Sequence, residues 1–228
     1  MICANLEYIK KNIARAAEKS GRNPDKIQLL AVSKRMATSR IEEAWNCGQK
    51  IFGENFVQEA QEKIELLDSD INWHFIGHLQ TNKAKAAAHL FALVETVDRL
   101  KLAKALDRHS GELGKILDIL IQVNVGLEQQ KSGVLPGNAE ELIKEISLLR
   151  NIRVRGLMTM PPNNQDPETS RPYFRSLKKM ADDFSQKGYF PEDCPVIISM
   201  GMSADYPIAI EEGATLVRVG TAIFGQRK

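Results

Sequence analysis

The stretch Ile27–Phe52, IQLLAVSKRMATSRIEEAWNCGQKIF, decides the fold. Its opening, Ile27-Gln28-Leu29-Leu30-Ala31-Val32-Ser33-Lys34, is an apolar run that reads as a short buried strand with an amine at its C-terminal edge. A helical pattern over Arg40–Cys47 follows, Gly48 stands where that helix should stop, and Lys50–Phe52 starts a second strand. Strand, helix and strand in this order form the unit of a parallel sheet covered by helices.

The unit recurs along the chain. Strands are expected at Ile27–Ser33, Lys50–Phe52, Asn72–Ile76, Phe91–Thr96, Leu117–Val125, Arg153–Leu157, Pro195–Ile198 and Leu216–Val219. Helices are expected at Arg40–Cys47, Phe56–Leu67, Thr81–Ala88, Arg99–His109, Ala139–Leu149, Ser170–Gln186 and Asp205–Glu211. Thr38 or Ser39, Thr81, Asp98, Asn138 and Ser203 sit where N-caps belong. Eight α/β units predict closure into a (β/α)8 TIM barrel, in a chain somewhat shorter than the typical barrel of about 250 residues. A doubly wound open sheet shares the alternation and is the rival architecture. Leu6, Ile9, Ile13 and Ala16 add an amphipathic helix within residues 1–20, expected to pack on the barrel. No repeat or linker divides the chain, so residues 1–228 read as one domain. A polar, proline-rich loop runs from Pro161-Pro162 to Pro167.

Composition narrows the function classes. The 31 basic and 29 acidic residues leave a net charge of +2, and aromatics make up 6%, so neither a nucleic-acid surface nor a base-stacking platform is indicated. No window approaches the roughly 18 apolar residues of a membrane span, and Met1–Lys11 lacks a signal-peptide core. Cys3, Cys47 and Cys194 are odd in number and far apart, so no disulfide framework is expected and a reducing, cytoplasmic setting is.

In a barrel of this kind the functional groups lie at the C-terminal strand ends. Lys34 ends the first strand, where desolvation or a neighbouring cation makes an amine nucleophilic towards an aldehyde. Ser199-Met200-Gly201-Met202-Ser203 and Gly220-Thr221 follow the seventh and eighth strands, where small and hydroxylic residues suit a phosphate. Arg218 interrupts the apolar Leu216-Val217-Arg218-Val219 and points opposite to its neighbours, requiring either a buried carboxylate or a ligand acceptor. Lysine, phosphate loops and arginine together describe pyridoxal 5′-phosphate, with a phosphate-sugar barrel enzyme as the alternative. His74 and His78 read as packing or hydrogen-bonding groups rather than a metal pair, and no metal site is expected. Glu54 and Glu59 read as helix-starting acids.

Longer motifs then become recognisable: Ala31-Val32-Ser33-Lys34, Phe52-Gly53-Glu54-Asn55 with Gln58-Glu59, His74-Phe75-Ile76-Gly77-His78-Leu79-Gln80-Thr81-Asn82-Lys83, Lys131-Ser132-Gly133, Arg155-Gly156-Leu157-Met158-Thr159-Met160, Ser199 through Asp205 and Val217 through Gly225. With them the chain resembles, nearly end to end, the pyridoxal phosphate homeostasis protein family, also described as YggS-like or proline synthase co-transcribed proteins. The resemblance implies a barrel like that of alanine racemase and a Schiff base between pyridoxal phosphate and Lys34. It implies Asn55 beside the cofactor, Met158 against the ring, Arg218 facing the pyridine nitrogen, and Ser199, Met200, Gly201, Gly220 and Thr221 around the phosphate. Lys83 and Lys131 follow as cofactor-handling candidates, and no residue is assigned a catalytic role. One departure stands out: where the family often has Thr and then Pro after the lysine, this chain has Arg35, Met36 and Ala37, losing proline's rigidity and gaining a charge.

A cationic donor at the ring nitrogen disfavours the protonated pyridine that extended carbanion chemistry needs. Alanine racemases take their second proton-transfer group from a separate C-terminal domain, and this sequence ends a few residues after the eighth strand. The expectation is a monomeric, cytoplasmic carrier that acts in intracellular cofactor homeostasis and serves cofactor-dependent apoenzymes. A weak amino-acid racemase or related enzyme is the alternative.

Overall fold

The computed structural model describes residues 1–67, 70–162 and 166–225. The strands are β1 (Gln28–Val32), β2 (Ile51–Glu54), β3 (Asn72–Phe75), β4 (Leu93–Val97), β5 (Leu117–Gln122), β6 (Ile152–Met158), β7 (Ile197–Ser199) and β8 (Leu216–Val219). They pair in sequence order and close into a barrel, with β1 parallel to both β2 and β8. Closure excludes the open sheet. The helices are α1 (Ile2–Lys19), α2 (Thr38–Asn46), α3 (Val57–Leu66), α4 (Ala84–Leu90), α5 (Leu100–Glu112), α6 (Pro136–Ile146), α7 (Arg171–Gln186), α8 (Tyr206–Glu211) and α9 (Thr221–Phe224).

Strand alternation sorts the side chains into two cores. Leu29, Ala31, Phe52, Val94, Val217 and Val219 face outward and join the helix faces in one large apolar cluster. The barrel interior holds two small clusters instead, Leu30, Ile76 and Leu216 in one and Leu93, Leu120 and Met158 in the other. β6 carries an irregularity against β5 at Ile119/Leu120, and Gly156 sits there at φ +151°. A Cβ on Gly156 would lie 1.9 Å from the Ile197 carbonyl oxygen, so glycine is what lets β6 and β7 approach.

α1 lies outside the eight units. Ile2, Leu6, Ile9, Ile13, Ala16 and Ala17 bury its apolar face, and it packs on α2, α8 and α9. That crossing corrects the cysteine reading: Cys3 on α1 and Cys47 after α2 form a disulfide with Cα atoms 5.3 Å apart, while Cys194 is free. Separation along the chain does not report a distance set by two helices crossing.

Several boundaries also differ. β2 runs on through Gly53 and Glu54, which places Glu54 in the sheet rather than in a helix. β5 stops at Gln122, and α6 starts at Pro136, where proline needs no intrahelical partner. The expected capping side chains are not used: Ala37, Lys83, Arg99, Leu135 and Asp205 occupy the N-cap positions of α2, α4, α5, α6 and α8 without a side-chain cap. Part of the proline-rich loop, residues 163–165, lies outside the described residues. Among the described residues no helix is long and apolar enough to cross a membrane.

Candidate functional site

Lys34 stands two residues beyond β1, at the C-terminal mouth of the barrel. Arg35 turns the chain with φ +59°, an uncommon left-handed conformation for a side-chain-bearing residue. The turn is held from several sides. Ser33 N–H donates to Gly53 O (3.0 Å), Met36 N–H to Ser33 O (3.0 Å), and the Arg35 N–H to Glu59. The Lys63 ammonium donates to Ser33 O (2.8 Å), Glu54 (2.7 Å) and Glu59 (2.6 Å), and Ser33 Oγ donates to Glu54 (2.7 Å). A buried clamp from β2 and α3 thus supplies the rigidity that the missing proline does not. Burial pushes the Glu54 carboxyl above its ordinary range, against the opposing pull of Lys63.

Lys34, Asn55, Arg218, Gly220 and Thr221 line one cavity of about 280 Å3. Val32, Ile76, Met160, Met202, Ser203 and Ala204 complete it. Ser203 Oγ accepts from the Gly220 N–H (3.4 Å), tying together the loops after β7 and β8. Met202 N–H donates to Asp205 (2.7 Å), which fixes the first of those loops.

Met158, Ser199, Met200 and Gly201 do not line the cavity. Met158 is fully buried one layer below, and Met160, two residues further on, lies against the cavity instead. Met200 is buried and donates its N–H to Leu216 O (3.1 Å). Gly201, at φ +88°, accepts from the Arg218 N–H (3.1 Å), and a Cβ there would sit 2.5 Å from that of Ala209. The Ser199 side chain is engaged inside the barrel rather than at a phosphate site: its hydroxyl donates to Glu95 Oε2 (2.6 Å) and accepts from Arg218. Lys131 pairs with Glu128 (2.6 Å) and donates to Pro161 O (2.9 Å), while Lys83 lines a separate cavity that shares Asn55.

Arg218 has the buried carboxylate that its position calls for, together with two protein acceptors. It donates to Ser199 Oγ and to Thr159 O (2.8 Å), and its guanidinium lies 4.0 Å from Glu95. Burial lowers its pKa, opposed by Glu95 and Asp205. Glu95 Oε1 in turn accepts from His74 Nδ1 at 2.8 Å. A polar spine, His74–Glu95–Ser199–Arg218, therefore crosses the interior beside the two apolar clusters and ends in the cavity wall. Glu95 was not singled out by the sequence reading, because only closure of β3, β4, β7 and β8 brings its partners together.

The donor set fits pyridoxal phosphate. Lys34 supplies an amine, Arg218 a guanidinium, and Ser203 and Thr221 hydroxyls beside small residues, all suited to an anionic ligand. Asn55 Oδ1 is an enclosed acceptor without a partner among the described residues, suited to a hydroxyl such as the one on the pyridine ring.

The alanine racemase N-terminal domain family matches residues 4–228. A relative called pyridoxal phosphate homeostasis protein, from Aquifex aeolicus, is 44% identical over 99% of this chain and 98% of its own. A second of the same name, from Escherichia coli K12, is 42% identical over 99% and 97%. PipY of Synechococcus elongatus, solved with PLP bound, superimposes with a TM-score of 0.85 at 34% identity, covering 99% of this chain and all of PipY. An alanine racemase of Clostridium difficile shares the fold alone: TM-score 0.76 at 16% identity, over 98% of this chain and 57% of the racemase.

Proposed function

The chain belongs to the pyridoxal phosphate homeostasis protein family, and from that membership we propose that its single domain, residues 1–228, binds pyridoxal 5′-phosphate covalently at Lys34 and acts in cofactor homeostasis. The observation that carries this reading is the meeting of Lys34, Asn55, Arg218, Gly220 and Thr221 around one cavity at the strand ends.

When bound, the cofactor supplies an aldehyde that reacts reversibly with amines. The protein's own part is holding and shielding. Lys34 presents its amine from a turn that the Lys63 clamp keeps in place. Of the residues lining the cavity, Ser203, Gly220 and Thr221 would hold the phosphate, Met160 and Ile76 would offer apolar surface to the ring, and Arg218 would offer a donor to the ring nitrogen. Reversible attachment suits a carrier that takes up free cofactor and yields it to apoenzymes. Such a carrier belongs in the cytoplasm, where apoenzymes are made, a reading that no longer draws on the cysteines now that Cys3 and Cys47 are paired, and functions as a monomer.

The test is spectroscopic. Protein produced with ample vitamin B6 should be yellow, and borohydride reduction should fix the cofactor mass to the peptide bearing Lys34. Lys34→Ala should remain folded, lose the colour and carry no fixed mass. Colourless wild-type protein, or cofactor trapped at another lysine, overturns the assignment. Steady turnover of D- or L-amino acids that disappears in Lys34→Ala would make the protein an enzyme rather than a carrier.

A further inference from the structure

A second cavity, of about 660 Å3, opens where the strands begin, at the end of the barrel opposite Lys34. Ile51, Leu93 and Ile197 give it an aliphatic wall, and His74 and Arg155 give it polar groups. Its charge is uneven. Asp118 is shared by two guanidiniums, Arg153 (2.7 Å) and Arg155 (2.5 Å), of which Arg155 lines the cavity. Asp193 approaches only Arg153, at 3.9 Å, and Lys26 and Asp25 offset each other at the rim. Arg155 spends its N–H groups on Asp118 and, at 3.4 Å, on Pro195 O, leaving donors to spare.

His74 makes this cavity more than a void. The residue is buried, and its Nδ1 faces the Glu95 carboxylate, which places a proton on that nitrogen. Nε2 has no hydrogen-bond partner among the described residues, and the side chain lines the cavity. The same histidine is the far end of the spine that reaches Arg218 in the wall of the cofactor pocket.

We propose that this lower cavity binds the carboxylate of a small organic acid with an aliphatic chain, and that its occupancy is felt at the cofactor pocket through His74, Glu95, Ser199 and Arg218. The carboxylate meets Arg155 and His74 Nε2, and the chain lies on Ile51, Leu93 and Ile197. A ligand at Nε2 alters the hydrogen bond between His74 Nδ1 and Glu95, and Ser199 relays that change from Glu95 to Arg218. The coupling, though not the binding, rests on the cofactor reading above.

The probe is 4-methylpentanoate, with 4-methylpentanamide as its uncharged counterpart. Binding is read from methyl NMR shifts of Ile51, Leu93 and Ile197 in the full chain, with and without pyridoxal phosphate, so the binding result stands even for protein that takes up no cofactor. The acid should saturate these shifts and bind about tenfold or more tightly than the amide, the worth of one charge-assisted hydrogen bond. Arg155→Gln should erase that preference. Ala92→Trp, at an exposed position on the cavity wall, should block the acid without touching a charge. Bound acid should slow cofactor release in the wild type and leave it unchanged in Ser199→Ala. Absence of saturation, equal binding of acid and amide, binding that survives Ala92→Trp, or cofactor release indifferent to the acid would each overturn the proposal.

Discussion

Lys63 places an ammonium group inside the fold, 2.7 Å from Glu54 and 2.6 Å from Glu59. Burying such charges costs several kcal/mol per ion, recovered only by close partners, so the group is a clamp rather than a source of stability. Lys63→Met strands Glu54 without its cation, and a loss of about 3 kcal/mol is expected by chemical denaturation. Glu54 gives the clamp a pH signature. Its folded pKa lies above the ordinary 4.5, chiefly through desolvation. The folded state therefore binds more protons than the unfolded one between that value and the raised one, and stability falls as pH rises through the window. Glu54→Gln lacks this titration. Its stability relative to wild type should grow from pH 4.5 upward and then level off, followed by thermal melting in a buffer series. A gap that instead narrows with rising pH would mean that the Lys63 attraction outweighs the desolvation. None of this clamp is legible in Phe52-Gly53-Glu54-Asn55 alone, where Glu54 has the look of a helix-starting acid. Its burial follows from two additional residues of β2, and Ser33, Glu54 and Lys63 are brought together only by tertiary packing.

At the level of elements, the alternation of apolar runs and helical patterns predicts the eight strands and their order, because each unit's period is local. The places where the strands deviate are not local. Gly156 and Gly53 look alike in the sequence, yet a Cβ at Gly156 meets backbone, the Ile197 carbonyl oxygen at 1.9 Å, whereas at Gly53 it meets the Leu30 Cδ2 at 2.4 Å. A leucine tip can rotate away; a paired strand cannot. Gly156→Ala is expected to cost about 3 kcal/mol or more, through strain and lost β6–β7 pairing. Gly53→Ala should cost about 1–3 kcal/mol, the range of ordinary overpacking. Denaturation of the two variants side by side checks the order, and a reversed order would place the tight approach of the barrel elsewhere. The cysteine pairing escaped the sequence for the same reason: the packing of α1 on α2 is decided by which apolar faces meet, and that information is spread over both helices.

Across the whole molecule, the barrel interior is divided between apolar clusters and the polar spine that ends at Arg218. That Lys34, Arg218, Gly220 and Thr221 meet around one cavity is legible from the sequence because the barrel fixes where strand ends meet. Ser199 reads from the sequence as a phosphate-binding residue, whereas its hydroxyl is held by Glu95 and Arg218, because Glu95 comes from a strand on another part of the wall. This division predicts how cofactor binding spreads into global stability. A ligand that binds only the folded chain adds about 2.7 kcal/mol at a free concentration of one hundred times its Kd. For a chain of 228 residues that corresponds to a rise of roughly 5–10 °C in Tm. Stripped wild-type protein given saturating pyridoxal phosphate should show this rise in full. Arg218→Gln keeps the amine but loses the guanidinium proposed to face the ring nitrogen, so its rise should be smaller. Lys34→Ala loses the proposed covalent attachment, and its rise should be smallest of the three. Differential scanning calorimetry of stripped and loaded proteins supplies the comparison. An Arg218→Gln rise equal to that of the wild type would show that the spine ends beside the cofactor without holding it, and that Lys34 and the phosphate loops alone set the affinity.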